Sequence, residues 1–324
     1  MKIALIVLAA LLLICLAAAI VLFETMLTRR KTTEPGEDDE KKESSAWLAY
    51  RRHALECKKE LLERPHENLE ITSFDGLKLR AKYFPAEKPD GRVALCIHGY
   101  TSTGLNEFAA FSRFYLDQGI GLFLPDDRAH GESEGKVIGF GWRDRLDVKQ
   151  WCELIAERFG PECRVLLHGV SMGAATVMMA SGEALPKAVR GIVSDCGYTS
   201  AWDEFATQLG QMFHLPAFPI LYLASLVCRI RGGYSFKECS AVKQLAKAQV
   251  PFLFIHGGED RFVPTQMVYK VYDACRADKE LLVVSGAAHA LSYHTDPQAY
   301  EAALRRFMGK IGLLEPNAGG PAPN

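Results

Sequence analysis

The chain has 324 residues, 48% of them hydrophobic and 24% charged, with a formal net charge of −1. That is the balance of a globular chain with a sizeable core, and the absence of any Lys/Arg-rich block argues against a nucleic-acid partner. The nine cysteines are scattered with no C-x-x-C pair, which argues against zinc and dithiol-redox sites; their odd count disfavours a full disulfide framework and leaves room for one or two bridges in an oxidising space.

Residues 3–23 carry no charge and are almost all Leu, Ile, Val and Ala. At about 1.5 Å per residue this run spans roughly 30 Å, the hydrocarbon thickness of a bilayer. A cleaved signal peptide has a shorter apolar core, about 7–15 residues, and the small residues Ala17-Ala18-Ala19 lie inside the run, not after it. Residues 1–25 are therefore read as a single-pass membrane anchor. Arg29, Arg30 and Lys31 after the span favour a cytoplasmic position for the downstream chain. A very short N-terminus leading at once into an apolar span favours the opposite topology, and the expectation leans to an extracytoplasmic domain. Residues 26–46 are polar, contain Pro35-Gly36 and a mixed charge run at 37–43, and predict a flexible linker.

The pattern becomes globular over residues 47–314. Helical spacing at 47–62 precedes two alternating runs, 69–74 and 77–84, joined at Asp75-Gly76 as a tight hairpin. Short apolar strands at 93–98, 121–125, 164–169, 191–194, 251–256 and 281–285 then alternate with helices near 107–117, 143–158, 172–181, 265–275 and 297–308. Continuous apolar runs are strands buried on both faces. An antiparallel hairpin ahead of strand–helix repeats predicts one mostly parallel sheet of eight strands with helices on both faces. The connection from 194 to 251 is too long for a plain loop. Its Leu-, Phe-, Met- and Tyr-rich segments at 201–213 and 219–230 predict a helical cap insertion at about 199–248. The Pro/Gly-rich residues 315–324 predict a disordered tail.

The segment Gly169-Val-Ser171-Met-Gly173 joins a strand to a helix. In this setting the glycines permit a sharp turn that lifts Ser171 off the sheet, with helix N–H groups directly behind it. A serine needs a base to become a nucleophile, and the base needs an acid to hold its tautomer. His289 lies on a small-residue loop after the last strand; His294 is a nearby competitor. Asp260 lies at the end of the penultimate strand, with Glu259 and Asp195 as less well placed alternatives. The backbone N–H groups of Met172 and Tyr100 are the candidate oxyanion donors. His98 reads as structural.

The segments His98-Gly99-Tyr100-Thr101, Asp127-Arg128-Ala129-His130-Gly131-Glu132-Ser133, Gly169–Gly173, Asp260-Arg-Phe-Val-Pro264 and His289 resemble the α/β-hydrolase superfamily over about residues 47–312. Within it they look most like the membrane-anchored Bem46-like branch, with kinship to the monoacylglycerol lipase and lysophospholipase group. Val170 stands where many relatives carry His, and Ala129 where relatives often carry Gly. The resemblance implies an α/β-hydrolase fold. It also implies a Ser171–His289–Asp260 acyl hydrolase that needs no metal or cofactor and acts on a small ester or acyl substrate, lipid-like if the apolar insertion and anchor serve the substrate. Arg128 and His130 are expected to organise the loop beneath the site. A peptidase, amidase or thioesterase on the same residues, and a non-catalytic membrane-tethered binding protein, are the alternatives. Oligomeric state is not legible.

Overall fold

The computed structural model describes residues 1–30 and 45–315. Eight strands form one sheet in the order β1-β2-β4-β3-β5-β6-β7-β8. They are β1 (Glu67–Thr72), β2 (Lys78–Phe84), β3 (Arg92–Ile97), β4 (Gly121–Pro125), β5 (Arg164–Val170), β6 (Val189–Asp195), β7 (Phe252–Gly257) and β8 (Lys279–Val284). β2 runs antiparallel to both β1 and β4, and the pairings along β4-β3-β5-β6-β7-β8 are all parallel. The mixed, mostly parallel eight-stranded sheet expected from the sequence is borne out.

The helices in chain order are α1 (Lys2–Met26), α2 (Ser45–Glu63), α3 (Gly104–Phe108), α4 (Ser112–Leu116), α5 (Asp144–Phe159), α6 (Met172–Ala180), α7 (Ala201–Phe213), α8 (Ile220–Gly232), α9 (Ala241–Leu245), α10 (Gln266–Ala274), α11 (Ser292–Thr295) and α12 (Pro297–Lys310). Alternate strand residues point to opposite faces, which explains the unbroken apolar runs. Val93, Leu95 and Ile97 of β3 enter one core with α5, α6 and α10, while Ala94 and Cys96 enter the other with α4 and α12.

Three local expectations differ from the structure. The single helix at 107–117 is α3, a 3-10 turn at Ala109–Phe111 and α4. The hairpin is looser than a two-residue turn: residues 73–77 form the loop, held by the Ser73 hydroxyl, which donates to Asp75 and accepts from Leu77 N–H. The polar linker was expected from residue 26, but Thr28 bridges Val137, Arg29 N–H donates to Lys136 O at 2.9 Å, and Leu27 O accepts from Ile138 N–H at 2.8 Å. The chain leaving α1 is thus bolted to the domain. Most of that linker and of the expected tail lies outside the described residues. All nine cysteines are free thiols. Between β6 and β7 the chain passes through α7, α8 and α9.

Candidate active site

Parallel strands bring their carboxyl ends to one edge of the sheet, where loops carry reactive groups. Ser171 comes after β5, Asp260 after β7, His289 after β8, and Gly99-Tyr100 after β3. Close packing forces the turn at Ser171. A Cβ on Gly169 would lie 2.2 Å from Gly173 O, and one on Gly173 would lie 1.9 Å from Ile97 O. Ser171 itself takes φ 55°, ψ −114°, a strained conformation for a residue with a Cβ. Its N–H donates to Asp195 O at 2.8 Å, tying the turn to β6.

Ser171 Oγ lies 2.8 Å from His289 Nε2, and His289 Nδ1 lies 2.7 Å from Asp260 Oδ2. With Nδ1–H donating to the carboxylate, Nε2 is left to accept the serine proton. Asp260 is held from the other side as well: Phe262 and Val263 N–H each donate to Oδ1 at 2.9 Å. Burial opposes its charge, but hydrogen bonds from His256 and His289 outweigh that and hold its carboxyl below the ordinary aspartate value. Ser171 is 9% exposed, and the ring of half-exposed Phe262 sits 4.9 Å from that of His289.

The competitors fall away on geometry. Glu259 is exposed. Asp195 is buried and accepts from Tyr300 OH at 3.0 Å, and burial raises its carboxyl to about 6. His294 lies in α11, against the ring of Tyr50. Met172 opens α6, whose first-turn N–H groups have no partner within the helix. Gly99 lies against Ser171, since a Cβ there would stand 3.4 Å from Ser171 Cβ.

The loops behind this edge are knitted by neutral histidines. Asp127 N–H donates to His98 Nε2 at 2.9 Å and Thr101 N–H to His130 Nε2 at 3.3 Å. Burial lowers the pKa of His98 to about 4; burial and the adjacent His98 lower that of His130 to about 3. Both rings are therefore free to accept at neutral pH. Arg128 is 2% exposed and donates twice to Asp147, at 2.7 Å each, and to Asp75.

Five residues around the site carry no signal in the sequence that marks them. His256 Nε2 lies 3.3 Å from Asp260 Oδ2. Glu107 Oε2 would meet the same Gly99 Cβ at 3.5 Å, so it backs the loop facing Ser171. Tyr50 and Ala54 of α2 pack with Ala288 and Leu291, covering the His289 loop. Cys196 Sγ stands within 4.8 Å of Asp260 and His289. As a metal set this trio fits poorly: burial pushes the Cys196 thiol well up, away from the thiolate a metal needs, and His289 Nδ1 is already taken by Asp260. A groove of about 780 Å³ between α2 and β1–β2 shares Tyr100 and Glu107 with these surroundings but is not lined by Ser171 or His289.

Comparison with known proteins places the fold. Residues 94–303 match the alpha/beta hydrolase family, and the chain belongs to that family. An uncharacterized Bacillus subtilis protein, YqkD, is 26% identical over 74% of this chain and 78% of its own length. Human monoglyceride lipase is 25% identical over 70% of this chain and 85% of its own. An uncharacterized membrane protein of Saccharomyces cerevisiae is 21% identical over 77% and 82%. Among solved structures, the Pyrococcus furiosus esterase Pf2001 superposes with a TM-score of 0.63 at 23% identity, covering 78% of this chain and 93% of that one.

Proposed function

We propose that the protein is a serine hydrolase that cleaves carboxylic esters through an acyl-enzyme. The observation that carries this reading is the relay Ser171 Oγ–His289 Nε2–Asp260 at 2.8 and 2.7 Å. Ser171 Oγ attacks the carbonyl carbon while His289 Nε2 takes its proton. The N–H groups of Met172 and Tyr100 steady the oxyanion, and Asp260 stabilises the imidazolium. His289 then protonates the departing alcohol oxygen. A water attacks the acyl-enzyme by the same route in reverse, releasing the acid and restoring Ser171.

The substrate is proposed to be lipid-like. Support comes from the monoglyceride lipase relative and from the apolar α7–α8 segment beside Phe262. The protein is proposed to be held at a membrane by α1, a helix of 25 residues that buries only Ala19 and Phe23. The yeast relative described as a membrane protein agrees with this.

Hydrolysis of p-nitrophenyl esters of increasing chain length tests the reading, with a fluorophosphonate probe to report the nucleophile. We expect rates to vary with chain length by about tenfold or more, the scale on which an apolar pocket discriminates. Labelling and turnover should both vanish in Ser171→Ala. A folded wild type that takes no label would overturn the enzyme assignment; a flat chain-length profile would overturn the lipid-like substrate.

A further inference from the structure

Helix α1 does not stand clear of the domain. It is exposed on all sides through Ile14, but from Cys15 one face is covered. Cys15, Ala18, Leu22 and Met26 are partly buried, and Ala19, Phe23 and Leu27 are buried. Recurrence at three and four residues makes these one helical stripe, and the element packed against α1 is α8. The two helices meet at their C-terminal ends. There Arg231 pairs with Glu24, and its guanidinium lies 4.6 Å from the Phe23 ring centre. α8 therefore runs back beside α1 toward the N-terminus.

Length decides what surrounds α8. Crossing about 30 Å of hydrocarbon takes about 20 helical residues. The uncharged run of α1, residues 3–23, supplies about 30 Å at 1.5 Å per residue. Its second half, from Cys15 on, is the part docked on α8, which places α8 in the same layer.

The chemistry of α8 suits that layer. Its outward face carries Leu226 and Ile230, spaced four apart and 52% and 74% exposed, while Tyr222 a turn earlier carries the Lys237 ammonium 5.0 Å from its ring centre. The end of α7 exposes Met212 and Phe213, and the turn leading into α8 exposes Leu215 and Phe218. No Asp, Glu, Lys or Arg occurs between Glu204 and Arg229. Where α1 ends, Arg229 and Arg231 of α8 and Arg29 and Arg30 after α1 are all exposed. Cations belong at that depth, beside the headgroups. A contiguous apolar surface of this kind marks an interaction site, whereas scattered single apolar residues do not.

We infer that the outer face of α8 and the α7–α8 turn are inserted in the bilayer beside α1, as a two-helix foot whose surroundings are lipid. This rests on α1 being the membrane span proposed above. It also sets the reaction site at the lipid surface. Gln208 and Gln211 of α7 donate to the carbonyls of Phe262 and Arg261 at 2.7 and 3.1 Å, so the apolar turn adjoins the Phe262 that lies against His289.

The test uses the full chain in phosphatidylcholine–phosphatidylglycerol vesicles. Bimane is attached at Leu226→Cys or Ile230→Cys in a Cys15→Ala background, whose other native cysteines are buried. The control position is Asp278→Cys, at the opposite end of the sheet. Lipids brominated on their acyl chains should quench the labels at 226 and 230 by about half or more and leave the control unchanged. A Leu226→Asp/Ile230→Asp variant should keep its rate on a short soluble ester and lose about tenfold or more on a long-chain ester embedded in the vesicle. If the wild type stays with vesicles through a carbonate wash while the labels respond only to aqueous iodide, the inserted foot is overturned and the anchor stands. If carbonate releases the wild type, the anchor reading fails and takes the foot with it. A disulfide-linked dimer of the Leu226→Cys chain, with its label shielded from lipid, would assign the face to a second copy and overturn the proposal.

Discussion

Glu204 is a buried carboxyl that the relay does not use. It lies in the first turn of α7, 5% exposed, with one oxygen accepting from Gln208 Nε2 at 2.8 Å and the other without a partner among the described residues. Burial raises its pKa, the Gln208 bond pulls it back, and nearby Asp260 adds to the rise, leaving it at about 8 against an ordinary 4.5. The folded state therefore holds this proton more tightly than the unfolded chain. The stability linked to it is fully present below pH 4.5 and is lost as pH rises toward about 8. Glu204→Gln should melt at the same temperature as the wild type near pH 4.5 and higher than it near pH 8. Asp195 and Asp147, raised by burial to about 6 and about 7, shift in the same sense but are common to both proteins. The difference between the two melting curves thus isolates Glu204, and parallel curves across the range would exclude it as the titrating group.

At the scale of the element, two glycines in helices call for opposite outcomes of one substitution. Gly173 lies in α6 where it crosses β3, and an added Cβ would stand 1.9 Å from Ile97 O and 2.7 Å from His98 O, both backbone atoms. Gly173→Ala has to push β3 and α6 apart, which costs about 3 kcal/mol or more and displaces Ser171. Gly210 lies in α7, exposed, with nothing within 4 Å of an added Cβ. Gly210→Ala should stabilise by about 0.5–1 kcal/mol through helix propensity alone. Denaturant unfolding of both variants, with fluorophosphonate labelling of the first, checks the pair. A Gly173→Ala protein with wild-type stability and labelling would show that the turn at Ser171 is not held by this packing.

For the whole molecule, the consequential feature is that α1 is built into the fold. Its last turns cover α8, the segment after it pairs with residues 136–138, and Met26 O accepts from Tyr100 OH at 2.8 Å. Removal of residues 1–30 should therefore not release an independent soluble domain. It bares the face of α8 that α1 covers and frees the Tyr100 loop beside Ser171. Such a chain should aggregate or melt several degrees lower, on the order of 2–4 °C for each kcal/mol lost, in size-exclusion chromatography and thermal unfolding. A monomeric truncate with unchanged melting would reduce the docking to a passive contact.

Much of this architecture was legible because its signals are local. Alternation and apolar runs placed the eight strands, and Gly-x-Ser-x-Gly between a strand and a helix marked Ser171. Asp260 and His289 were marked by their places after the last two strands. The parts that were not legible depend on which surfaces meet. His256 reaches Asp260, and Tyr50 of α2 reaches the His289 loop, through packing that no short motif encodes. The hairpin loosened because the Ser73 hydroxyl competes for the turn. α1 is the clearest case. It is apolar on every side, so its sequence carries no stripe to show which face has a partner. Composition alone determined that the helix could cross a membrane. Only the tertiary structure, by seating Ala19, Phe23 and Leu27 against the domain, decided that α1 and the domain share one core.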